Sequence, residues 1–113
     1  ISVKDNETHD NEANFTQTVK GDLSQTVKGD CTLTVTGDLT IKASGSLTIK
    51  GDKDVTIQAG TSLTLKSGTD WSGKAGTGAT LEGGTTVTVK GSASGTVDGG
   101  GMLTVKGGLV KIN

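Results

Sequence analysis

The sequence has no proline and no tyrosine, one phenylalanine, one tryptophan, one histidine and one cysteine. A compact core built on aromatic anchors is therefore excluded. Hydrophobic residues make up only 30 % of the 113 residues. Ordering each residue costs roughly 1.5 kcal/mol in conformational entropy, so an apolar content this thin does not hold a solitary globule together. Cys31 has no partner for an intrachain disulfide, so cross-linking is excluded as the compensating device. No apolar stretch approaches the roughly 20 residues of a membrane-spanning helix. Eleven basic residues stand against twelve acidic ones, with the signs interspersed, so the basic stripe of a nucleic-acid binder is missing. The chain begins inside its own pattern with no visible signal peptide, and reads as part of a longer protein.

What the sequence has instead is glycine, 19 of them, and a repeat. Apolar-Thr-apolar triplets recur every eight residues: Leu39-Thr40-Ile41, Leu47-Thr48-Ile49, Val55-Thr56-Ile57 and Leu63-Thr64-Leu65. The step continues through Trp71-Ser72-Gly73, Ala79-Thr80-Leu81, Val87-Thr88-Val89, Gly95-Thr96-Val97 and Leu103-Thr104-Val105. Upstream, Gln17-Thr18-Val19, Gln25-Thr26-Val27 and Leu33-Thr34-Val35 keep the same step, but only six residues separate Leu33 from Leu39. That spacing predicts a turn shortened by two residues. The pattern fades further back, where His9-Asp10-Asn11 replaces the triplet. The domain reading is therefore a poorly regular lead-in over 1–16 and a regular shaft over 17–113.

Alternation of apolar and Thr is the period of a strand with one covered face, and Thr and β-branched residues favour extended backbone. Glycine two residues after the last apolar position, as in Val19-Lys20-Gly21 and Ile49-Lys50-Gly51, predicts a sharp corner. An eight-residue unit is too short for a hairpin that closes its own sheet. It suits one side of a triangular prism, about 24 residues per turn, formed either by one chain stacked on itself or by three chains interleaved. With strands ~4.8 Å apart, the interleaved form would be roughly 60 Å long. The fold class read from this pattern is all-β, a triangular β-helix of octapeptide repeats in either form; the intertwined homotrimeric form is what a family resemblance implies.

The Val-x-Gly octads resemble the needle repeat in the central spike of contractile phage tails. The Leu-Thr-Ile/Val-Lys-Gly-Asp texture and the closing Gly107-Gly108-Leu109-Val110-Lys111-Ile112-Asn113 are more similar still to the C-terminal part of VgrG proteins, spike components of bacterial type VI secretion systems. The resemblance covers Gln17 to Asn113. It implies a homotrimer, a mechanical puncturing role without catalysis, and delivery out of the producing cell or into a target cell. It also implies a PAAR-repeat tip protein or effector seated on Leu109, Val110, Lys111, Ile112 and Asn113, and transient contact with a target membrane. Phage needles often end in a His-x-His motif that binds iron; the one histidine here is His9, so the metal-tipped version is not expected. The alternatives are a phage needle and a monomeric Thr-rich β-solenoid binding module.

Other residues carry less. Trp71, inward among leucines, is read as core accommodated by Gly73, and Gln17 and Gln25 as a polar, hydrated stretch of core. Cys31 and Met102 are read as packing or surface residues just before inward positions. His9 with Asp5, Glu7, Asp10 and Glu12 is an acidic lead-in rather than a metal cluster. A nine-residue calcium-binding repeat does not fit a period of eight. No cofactor and no metal is expected, and with one histidine no catalytic set can be assembled.

Overall fold

The computed structural model describes residues 1–113 as two units, Ile1–Val55 and Thr56–Asn113. Each is a succession of extended six-residue segments separated by two-residue bends. In the first unit the bends fall at 4–5, 12–13, 20–21, 28–29, 36–37, 44–45 and 52–53. In the second they fall at 60–61, 68–69, 76–77, 84–85, 92–93, 100–101 and 108–109. Every bend lies eight residues after the one before it.

This regularity removes the shortened turn predicted between Leu33 and Leu39. The bends at 28–29, 36–37 and 44–45 pass through that stretch with their spacing unchanged. What moves is the Thr-centred triplet within the octad. Leu33-Thr34-Val35 occupies the last three positions of its segment, 30–35, and Leu39-Thr40-Ile41 the second to fourth positions of the next, 38–43. The eight-residue spacing also runs through residues 1–16, where the alternating positions are filled by Glu7, His9 and Asn11.

In an extended segment, residues two apart share a face. Each segment therefore presents three positions on one side, and the residues at these positions recur octad after octad as three series in register, called columns. The first holds Phe15, Leu23, Cys31, Leu39, Leu47 and Val55, continuing to Leu63, Trp71, Ala79, Val87, Gly95 and Leu103. The second holds Gln17, Gln25, Leu33, Ile41, Ile49 and Ile57, then Leu65, Gly73, Leu81, Val89, Val97 and Val105. The third begins with Val19, Val27, Val35 and Ala43 and ends with Gly83, Gly91, Gly99 and Gly107. On the opposite face, Thr or Ser occupies the central position from Thr8 to Thr104 without interruption.

The Val-x-Gly motif marks two different places in this frame. Gly21, Gly29 and Gly37 are bend residues, and a Cβ at any of them would meet nothing within 4 Å. Gly51 precedes its bend, and a Cβ there would lie 2.7 Å from the Asp54 carbonyl oxygen. At Gly83, Gly91 and Gly99 the added Cβ would collide with the carbonyl oxygens of Thr86, Ser94 and Met102 respectively. The later corners thus fold the chain back against the last residue of each segment, and only glycine leaves room. The tightest is at 99–102, where Met102 N–H donates to Gly99 O at 3.2 Å, Asp98 Oδ1 accepts from Gly100 N–H at 2.8 Å, and Gly100 has φ +61°. Positive φ of this kind is cheap for glycine and costly for residues with a Cβ.

No segment pairs with another within either unit. Met102 to Gly99 is the one backbone–backbone hydrogen bond, whereas a folded domain makes about one internal hydrogen bond per residue. Within each unit no Cα comes within 8 Å of another twelve or more residues away. No side chain is buried. The strands expected from the sequence are therefore present as extended, unpaired segments, and the all-β class expected from the alternation does not appear in the single chain. The physical reason is local: a two-residue bend every eight residues carries the chain on to a new segment and never returns it alongside the last.

Candidate functional site

The apolar columns are the main chemical feature of the chain. Leu39, Leu47, Val55, Leu63 and Leu103, all in the first column, are between 55 and 58 % exposed, so successive octads give them nearly one environment. Second-column aliphatics are more open, from Ile57 and Leu65 at 64 % to Val89 at 84 %. The total accessible area is 13024 Å²; a compact monomer of the same mass exposes about 5,700 Å². The excess per chain is several times the ~800 Å² per partner of an ordinary protein–protein interface. Exposed apolar area marks interaction surfaces when it is extensive, and here exposed apolar side chains recur in every octad from Phe15 to Val105.

The columns change character along the chain. Gln17 and Gln25 stand in the second column, flanked in the first by Phe15 and Leu23 and in the third by Val19 and Val27. The two amides predicted near the start thus share a face of their segments with apolar residues, one amide per octad, and are exposed there. Phe15 and Leu23, absent from the sequence triplets, supply the apolar residues of those octads. A strict eight-residue count back from Leu39 identifies them. Cys31 is likewise a first-column residue, in line with Leu23 and Leu39, and is exposed. The triplet pattern sets it one position outside, because the triplets and the bends follow different frames. Met102 is the first residue after a bend and is 80 % exposed.

The His9 ring meets Phe15 edge-on, with centroids 5.7 Å apart across the bend at 12–13. That bend is held by Ala13 N–H donating to Asn11 Oδ1 at 3.0 Å. No three His, Cys, Asp or Glu side chains converge anywhere in the chain. No helix is long and apolar enough to cross a membrane.

A concavity of about 420 Å³ lies in the second unit, lined by Trp71, Gly73, Lys74, Ala75, Ala79, Thr80 and Leu81. The Trp71 indole lies over Gly73, where a Cβ would be 3.0 Å from its Cη2. The exchange of aliphatic for glycine beside the tryptophan, read from sequence as making space, does so within one segment.

Of the predicted tip residues, Leu109 is a bend residue, and 110–113 form the last, short segment. Val110 and Ile112 stand out of phase with the columns: Ile112 takes the place that Thr or Ser holds in the preceding octads, and Lys111 falls in the first column. Leu109 is 88 % and Ile112 90 % exposed, Val110 about half. Apolar side chains here sit on the face that is hydroxylated elsewhere.

An octad repeat with apolar side chains exposed in both units defines a repetitive structural chain. The Gp5 C-terminal repeat family matches the chain in three copies, including residues 5–28 and 21–44. Each of these ranges is three octads long and begins and ends inside a bend. The range 21–44 runs through Leu33 to Leu39, in agreement with the unbroken bends. That family is the β-helix repeat of a phage tail spike, so these residues form a phage-tail-spike-like repeat region. No curated protein and no solved structure gives a significant match.

Proposed function

We propose that the chain is the needle shaft of a contractile injection machine, wound from three copies into a triangular β-helix. The observation that carries this reading is the bend every eight residues with all three columns left open. Interleaving three chains places a neighbouring strand beside each segment. It satisfies the backbone donors and acceptors that have no partner within the chain and covers the columns. A prism closed in this way has no free lateral edge, and unwinding three threaded chains is slow. Both properties suit an object driven through a membrane, and neither requires catalysis, a metal or a cofactor.

The spike reading rests on the family match; the secretion assignment rests on the Leu-Thr-Ile-Lys-Gly-Asp texture. On that assignment the chain is a VgrG-type shaft, delivered outside the producing cell or into a target cell, with a PAAR-type tip or effector docked through Leu109, Val110, Lys111, Ile112 and Asn113. The phase reversal at Val110 and Ile112 supports docking, because it offers apolar side chains to an outside partner instead of to the column face. The phage-needle reading is favoured by the family description itself and shares the same shaft.

Light scattering tests the shaft: a mass three times the 11.3 kDa chain is expected, with resistance to SDS, and a stable monomer would overturn it. Co-purification with a PAAR-repeat protein tests the tip. Leu109→Ser/Ile112→Ser is expected to lose the partner while keeping the mass; retained binding would remove these residues from the docking surface.

A further inference from the structure

A stack of near-identical octads has a register problem. Leu39-Thr40-Ile41, Leu47-Thr48-Ile49 and Val55-Thr56-Ile57 are chemically interchangeable, so sliding one copy along another by eight residues exchanges like for like. Glycine-rich strands specify register weakly, and assemblies of repeats need an element that penalises the slipped alternatives. Resting on the three-copy reading above, we propose that the Trp71 concavity is the register key of the assembly, and that its occupant is the Trp71 octad of a second copy of this chain.

The octad around Trp71 is unlike the others on its column face. Its first-column residue is the largest side chain in the sequence, and its second-column residue is glycine where most octads carry Val, Ile or Leu. Ala75 and Ala79 follow on the same face, and Leu81 is the next large aliphatic. The indole, laid over Gly73 and 68 % exposed, forms one wall of a hollow whose remaining lining is mostly small residues and aliphatic stems. The chain thus carries a large knob and a hole at one level.

Closed threefold symmetry brings equivalent residues of the three copies to the same level. In the aligned register each indole meets the neighbour's Gly73–Ala75 stretch and fills its hollow. A slip of one octad sets Trp71 against Leu63 and Leu65, or against Ala79 and Leu81, and leaves the hollow beside Gly73 empty. The ring is then overpacked at one level while a void opens at the next, and both are destabilising. Among the octads from Leu39 to Leu65 nothing discriminates in this way, because exchanging Leu for Ile or Val changes little volume; the Gln17, Gln25 and Gly95 octads also depart from the pattern, but none of them sets an indole beside a glycine. Register is therefore set at Trp71 and passed to the interchangeable octads on either side.

The test uses Cys31, forty residues away, as a reporter of register. In the aligned assembly three Cys31 thiols share one level, and a short bismaleimide, given the long exposure that a covered thiol requires, joins two of the three across chains; in slipped assemblies they are displaced. Wild type is expected to have the mass of three chains and to give close to one cross-linked pair per assembly. Trp71→Leu/Gly73→Ile, which makes the octad generic, is expected to keep that mass while the Cys31 cross-link falls several-fold. Adding Leu63→Trp/Leu65→Gly to that variant moves the key by one octad and is expected to restore the cross-link. Full cross-linking of Trp71→Leu/Gly73→Ile would overturn the proposal. If that variant fails to assemble, the moved-key variant decides: recovery supports the key, and continued failure overturns it. A monomeric wild type would instead overturn the three-copy reading, and this inference with it, at the mass measurement before any variant is made.

Discussion

Leu33 and Leu39 are six residues apart with a single bend, 36–37, between them, and they belong to adjacent columns of one unbroken frame. Leu33 is a second-column residue and Leu39 a first-column residue. The octad, not the Thr-centred triplet, is the unit that the backbone repeats.

The first expected outcome follows from that frame. Inserting two residues after Thr36, which would restore an eight-residue distance between the two leucines, should shift every later octad by two positions against its neighbours. Loss of SDS resistance is expected. Deleting the whole octad 38–45 should leave an SDS-resistant assembly of correspondingly lower mass. Equal behaviour of the two variants would refute the unbroken frame.

Glycines at the two kinds of corner should differ in their tolerance of a methyl group. Gly45 has open space where a Cβ would go, whereas a Cβ at Gly91 would collide with the Ser94 carbonyl. Gly45→Ala is expected to be neutral or slightly stabilising through loss of unfolded-state freedom, by up to about 1 kcal/mol. Gly91→Ala should destabilise by more than that. Parallel thermal melts of the two variants read the difference directly.

At Gly100 the cost is conformational, since no atom lies within 4 Å of an added Cβ. Its φ of +61° makes Gly100→Ala worse by roughly 1–2 kcal/mol. Gly100→Asn should recover part of the loss, because asparagine tolerates this region better than alanine. A melt in which the two variants coincide would argue against the corner described here.

Cys31 gives a reading of the column face. In the single chain its thiol is exposed, in line with Leu23 and Leu39. Thiol reagents are expected to modify it readily in guanidinium-dissociated chains and slowly in the assembly. Fast modification in both states would place the first column outside the interface.

Much of the candidate site is legible in the order of residues. The period of eight, Gln17 and Gln25 on the same face as the apolar positions, and the Trp71/Gly73 exchange all follow from side-chain chemistry repeated along one line. Three features are not legible there. The triplet masks the frame at Leu33 to Leu39, because Leu-Thr-Val and Leu-Thr-Ile look alike wherever they fall in a segment. The two roles of glycine merge for the same reason. Phe15, Leu23 and Cys31 escape notice as first-column residues because the Thr-centred triplets in their octads begin two positions later, at Gln17, Gln25 and Leu33.

By itself, the sequence determined the repeat and the alternation of faces, since periodicity is a property of residue order alone. The tertiary structure decided where the corners fall, which glycines lie beneath a carbonyl, and that Val110 and Ile112 leave the column face. These depend on backbone direction at each bend, which residue identity constrains only through the space a Cβ would take.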